Sequence, residues 1–172
     1  MPDSDQDNFG FKRLSLKNWL TVDPAWAGVF MSYSPPNQCE GLVHDLCQEH
    51  LDPAVPLPIR KLFETARGAL VYSVVFYPLL TLGAEQLLRV FETAVSIKCE
   101  LMNAPEIWKF PQKVDWLVKH GAIAKDESAR WNTVVQLRNE ASHPKDQMIF
   151  NLAMTLTILD LADELINTLF LS

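Results

Sequence analysis

From Leu57 to Tyr77 apolar side chains return at three- and four-residue steps: Ile59, Leu62, Phe63, Ala66, Leu70, Val74 and Tyr77. That recurrence matches the 3.6-residue helical turn and gathers the seven side chains on one stripe. A helix with such a stripe must bury it against other elements, so the pattern constrains the whole fold. Pro78 should kink or break this helix. The same periodicity resumes through Leu87, Leu88, Phe91, Val95 and Met102 and ends before Pro105. Gly68 to Ala84 carries no charge, yet it falls short of the roughly 20 apolar residues a membrane span needs. It reads as buried helix. Glu85 and Arg89 stand at the i, i+4 spacing of an intrahelical ion pair.

Strand patterning is weak elsewhere, although Leu70–Phe76 is β-rich by propensity. A short helix is expected over Gln112–His120, with Val114, Leu117 and Val118 inward and Gly121 as its C-cap. His120 there suits the negative end of the helix dipole. A last helix, about Pro144–Leu169, presents Leu152, Ala153, Leu156, Leu159, Ala162, Leu165, Ile166 and Leu169, a face wide enough to leave area for a partner. The expected fold class is therefore all-α: an up-and-down bundle of four to five helices over residues 55–172. Residues 1–54 form an N-terminal arm packing on the bundle. In that arm Leu14–Trp19 and Trp26–Tyr33 are apolar enough to pack. Asn37–Leu51 is a short helix with Leu42, Val43, Leu46 and Leu51 inward.

The arm also holds four zinc-ligand types: Cys39, His44, Cys47 and His50. On a helix, steps of three residues drift by about 60°, so positions 44, 47 and 50 spread around the cylinder instead of converging. An amphipathic helix with buried cysteines and surface histidines is the expectation, with no metal and no cofactor. Three cysteines, an odd number at irregular spacing, fit a reducing compartment better than a disulfide framework. The acidic start, MPDSDQDNFG, is no signal peptide. The expected location is cytoplasmic, with no membrane partner.

One stretch carries chemistry-bearing residues, Gln136–Lys145, which reads QLRNEASHPK. Six arginines and four histidines would give a bare Arg-x-x-x-x-His by accident about once in seven such chains, so spacing alone decides nothing. Placement decides more. With Asp126 as N-cap and Glu127 in the first turn, Trp131, Val134 and Val135 form an apolar face. Arg138 is i+7 from Trp131 and i+4 from Val134, so its guanidinium lies on that face and requires a partner. Pro144 pushes the residue before it out of α conformation, which makes His143 the pivot to the next helix and its N-cap. A guanidinium, an imidazole and a helix N-terminus together are the parts for holding a phosphate and moving a proton beside it.

The run R-N-E-A-S-H-P, set between an amphipathic helix and a long apolar C-terminal helix, resembles the HEPN superfamily (higher eukaryotes and prokaryotes nucleotide-binding domain). The resemblance covers roughly residues 56–172 and rests on the motif and helix order. It implies Arg138 and His143 as catalytic residues, with Asn139 orienting a phosphate oxygen or Arg138. Lys145 would add positive charge at the substrate, and Glu85 is the acidic residue that could orient the motif from a neighbouring helix. Many family members resemble metal-independent endoribonucleases of toxin–antitoxin and other defence systems; others serve as non-catalytic nucleotide-binding or interaction modules. The implied partners are a second copy of the chain, RNA or a nucleotide, and a neighbour-encoded antitoxin or regulator.

Charge weighs against a long nucleic-acid footprint, because phosphate affinity is largely electrostatic and the net charge is −6. The balance is uneven, however. Residues 98–145 hold eight Lys/Arg against six Asp/Glu, whereas 146–172 hold none against four. The excess surrounds the motif, with Lys109, Lys113, Lys119, Lys125, Arg130 and Lys145 nearby in sequence. A local positive funnel is the expectation.

Overall fold

A computed structural model describes residues 10–29, 38–142 and 150–171. The described residues form a 3-10 turn, Pro24–Trp26, and six α-helices, with no strand among them. The helices are α1 (Gln38–Gln48), α2 (Leu57–Tyr72), α3 (Leu79–Leu101), α4 (Phe110–Lys119), α5 (Ser128–Ala141) and α6 (Leu152–Leu171). The all-α bundle read from the periodicity is what the chain forms. The β-rich run Leu70–Phe76 is helix and turn, so packing overrides propensity there.

The longest helix, α3, is the hub. It packs against α2, α4, α5 and α6 and buries Leu80, Ala84, Leu87, Leu88, Val90, Phe91, Ala94, Val95 and Cys99. Gly83 permits the closest approach to α2: a Cβ there would meet Leu70 Cδ2 at 2.5 Å, and Leu70 is fully buried with no room to yield. The helix leaves one polar stripe, Glu85, Arg89, Glu92 and Ser96, at steps of four, three and four residues. Ile59, Phe63, Ala66 and Leu70 of α2 form the stripe anticipated for that helix.

Several boundaries differ from the sequence reading. The uncharged run Gly68–Ala84 is not one buried helix: α2 stops at Tyr72, five residues before the expected end, and α3 begins after Pro78. The arm takes over the freed backbone groups. Asp23, fully buried, donates its N–H to Val74 O (2.9 Å), and its carboxylate accepts from the amides of Tyr77 (3.0 Å), Ala25 (3.0 Å) and Lys12 (3.3 Å). Trp26 is buried against Tyr77, with ring centroids 5.1 Å apart, and donates its indole N–H to Ser73 O at 2.6 Å. By contrast, Leu14–Trp19 does not pack inward; its apolar side chains are exposed.

The C-terminal helix α6 starts at Leu152, and the expected start at Pro144 lies outside the described residues. Phe150 is buried outside the helix, and Asn151 Oδ1 accepts from Met154 N–H at 2.9 Å, an N-cap that fixes the start. Ala153 consequently lies exposed, while Ile158, Leu159, Ala162, Leu165, Ile166 and Leu169 are buried. At the other end of the bundle, Gly121 adopts φ 77° just beyond α4, and the Ala122 amide reaches back to Leu117 O at 3.0 Å, as the expected C-cap requires. No helix among the described residues is long and apolar enough to cross a membrane.

Candidate functional site

Helix α5 carries the motif. It begins at Ser128 with Glu127 as N-cap, one residue later than expected, and Asp126 makes no cap. Trp131, Val134 and Val135 are buried, as their spacing requires. The Trp131 ring meets Phe91 of α3 edge-on, with centroids 5.8 Å apart, which sets α5 against the polar stripe of α3. Two turns further on, Arg138 emerges at the border of this contact. Its Nε donates to Glu92 Oε2 at 2.9 Å and its Nη1 donates to Ser142 Oγ at 2.9 Å. The Ser142 hydroxyl in turn donates to Arg138 O at 2.8 Å. Arg138 and Glu92 are 35% and 33% exposed, so the pair is neither sealed in the core nor free in water.

The partner demanded by a guanidinium on an apolar face is thus Glu92, not Glu140 or Glu85. Two of the three guanidinium nitrogens are engaged on the protein side, which fixes the plane of the fork. Arg138 also lines an open cleft of about 290 Å³, together with Glu85, Leu88, Arg89, Ala141 and Ser142. Glu85 shares the cleft with Arg138, but Glu92, two turns along the same stripe, holds the guanidinium. Glu85 and Arg89 form no ion pair with each other among the described residues, contrary to their i, i+4 spacing. Arg89 instead gives the cleft a second guanidinium, and sequence reasoning had assigned it only to that pair. Asn139 is exposed and does not line the cleft among the described residues. His143 and Lys145 lie outside the described residues, as does the expected helix start at Pro144.

The expected positive funnel is thinner than the sequence suggests. Lys113 Nζ donates to Ser96 Oγ at 2.8 Å, and Arg130 is forked onto Glu164 of α6. That fork raises the Arg130 pKa and lowers that of Glu164. His120 stacks on Trp116 with centroids 3.9 Å apart, and its Nδ1 sits 2.7 Å from Trp116 O, where a carbonyl can only accept. It is tied to the end of α4. Burial pushes the Cys99 thiol pKa up.

Cys39, His44, Cys47 and His50 do not converge. Among the described residues no three His, Cys, Asp or Glu side chains are arranged to hold a metal ion. Both histidines are exposed, as expected; Cys47 is exposed too, because α1 buries Leu42 and Leu46 on its other face.

Beside Arg138, Leu137 opens onto a second, apolar groove between α5 and α6. It is about 350 Å³ and is lined by Thr133, Leu137, Ala153, Met154, Thr157, Ile158 and Leu161. The motif helix thus carries a polar cleft on its α3 side and an apolar groove on its α6 side. Compared with known proteins, this chain matches no family model, no curated protein and no solved structure.

Proposed function

We propose that the chain is a HEPN-like RNA-processing protein that works as a homodimer, a metal-independent endoribonuclease leaving 2′,3′-cyclic phosphate ends. The observation that carries this reading is the Arg138 guanidinium: two of its nitrogens are fixed by Glu92 and Ser142, and the residue lines an open cleft. A fork held in this way is preorganised for a phosphate oxygen and needs no reorganisation as charge develops.

In the proposed reaction one His143 takes the proton of a ribose 2′-OH as that oxygen attacks the adjacent phosphorus. The P–O5′ bond breaks, and a second His143 gives its proton to the leaving 5′ oxygen. One imidazole cannot be base and acid in the same step, so two chains are required. The apolar groove beside the motif helix supports a second copy as the occupant of that side. Arg138 holds the charge of the pentacoordinate transition state, and DNA, lacking the 2′-OH, is inert.

The net charge of −6 and the partial neutralisation of Arg138 by Glu92 favour a second reading, a non-catalytic module that binds a nucleotide or a partner's phosphate at the same cleft. Labelled RNA incubated with wild type, Arg138→Ala and His143→Ala separates the two. The nuclease reading expects cleavage by wild type and at least about a hundredfold loss in each variant, with thermal melts and dimer size unchanged. RNA cut equally well by both variants contradicts the assignment. Binding by wild type without cutting, lost in Arg138→Ala, establishes the module instead.

A further inference from the structure

Helix α3 contributes two side chains of opposite sign to the Arg138 cleft, and the described fold uses neither. Glu85 is half-buried and Arg89 exposed; neither side chain makes a hydrogen bond or ion pair among the described residues. Arg138, by contrast, is fastened by Glu92 and Ser142. A carboxylate partly withdrawn from water and left without a donor loses hydration that the N–H groups of a ligand would restore.

Spacing along α3 sets the form of that ligand. At 1.5 Å per residue, Arg89 stands about 6 Å beyond Glu85, and Glu92, which holds Arg138, about 10.5 Å beyond it. The cleft thus offers an acceptor pair at one end and guanidinium groups one to two helical turns away. Its volume of about 290 Å³ suits one small molecule and not a longer stretch of chain. A nucleotide has this form, with a base edge on one side of the sugar and an anion on the other.

The carboxylate also distinguishes the bases. Guanine alone sets two N–H donors side by side, N1–H and N2–H, where the two oxygens of a carboxylate can accept both. Adenine, cytosine and uracil each set an acceptor beside the donor, which a carboxylate repels. We propose that this cleft selects guanine nucleotides, with Glu85 accepting from guanine N1–H and N2–H while Arg89 joins Arg138 at the phosphate. The proposal rests on the reading that the Arg138 cleft holds a phosphate, and it adds the base. The recognised unit is a guanosine phosphate, free or within RNA.

The test is calorimetric titration of the full chain with guanosine, inosine and adenosine 5′-monophosphates. Wild type is expected to bind the guanosine nucleotide about tenfold or more tightly than the adenosine one. The inosine nucleotide, which keeps N1–H but lacks the 2-amino group, should fall between them. Glu85→Gln should bring the guanosine nucleotide down to the adenosine affinity, since an amide offers only one acceptor oxygen. Arg89→Ala should weaken all three by a similar factor, about fivefold or more, and keep their order. Glu85→Gln is close to isosteric and Arg89 is exposed, so thermal melts of both variants should match wild type. Equal affinity for the three nucleotides overturns the proposal, as does no binding, or a guanosine preference that survives Glu85→Gln. Two labelled RNA oligomers, differing by one guanosine or adenosine, separate the sources. Preference for the guanosine oligomer assigns the site to RNA, and its absence beside selective nucleotide binding assigns it to the free nucleotide. RNA cut by a protein that prefers no nucleotide and no oligomer sustains the nuclease reading and overturns this proposal. Selective guanosine nucleotide binding by a protein that leaves RNA intact does the reverse.

Discussion

At the scale of single residues, Arg138 was legible as a charge at the end of an apolar stripe that had to find an acid. Which acid was not legible. Glu92 lies 46 positions upstream, and only the packing of α5 on α3 through Trp131 and Phe91 brings the two together. The local signal for it is that Glu85, Arg89 and Glu92 share one stripe of α3. Ser142, i+4 from Arg138, lies inside the motif and takes the contact, whereas Asn139 is turned to solvent by its position in α5. If Glu92 orients the guanidinium, Glu92→Gln should lower RNA-cleaving kcat/KM by about tenfold, chiefly through kcat. Stability should fall by no more than about 1 kcal/mol, since the pair is a third exposed. Steady-state kinetics alongside thermal melts check both; unchanged kcat removes Glu92 from the site.

A second prediction at this scale concerns acidity. Desolvation, a hydrogen bond with Asp163, and the charges of Asp163 and Asp160 raise the Glu49 pKa above its ordinary 4.5, with His50 opposing weakly. The fold therefore favours the protonated carboxyl. Its contribution to stability is fully present below the unfolded value and is lost as pH rises through the raised one. Glu49→Gln keeps the hydrogen-bonding shape without the charge, so it should raise the melting temperature near neutral pH. That gain should shrink to nothing below pH 4.5, which melts across the range would show.

At the scale of elements, helix faces were legible and helix ends were not. The stripes of α2, α3 and α5 follow from a 3.6 period that is written locally in the chain. The end of α2 at Tyr72 depends on Asp23, about fifty residues away, which satisfies the backbone groups of the α2–α3 turn. The start of α6 at Leu152 rests on a single side-chain cap, Asn151, which the helical period does not announce. Because Asp23 is buried and serves three amides, Asp23→Ala should cost about 3 kcal/mol and free the arm from the bundle. Chemical denaturation and limited proteolysis between residues 10 and 29 would report it. A variant with unchanged stability would mean the arm is not fastened by this residue.

At the scale of the molecule, the all-α class was readable because helical periodicity recurs from Leu57 to Leu169 and alternation does not. How the arm packs was not readable. Leu14, Leu16 and Trp19 look like core residues in sequence, and only the internal hydrogen bonds of Lys12 and Asn18 reveal that the loop closes on its polar groups. The motif poses the same difficulty in another form, since the proposed site draws on α3 and on a second chain that local spacing does not announce. The account therefore stands or falls on the chemistry at the Arg138 cleft. The most direct measurement is end-group analysis of an RNA oligonucleotide incubated with the protein in EDTA, beside the same oligonucleotide with a single 2′-deoxy substitution at the cleaved position. The account predicts 2′,3′-cyclic phosphate ends from the first and no cleavage at the substituted position in the second. Equal cleavage of both, or cleavage that stops when divalent metal is chelated, would contradict it.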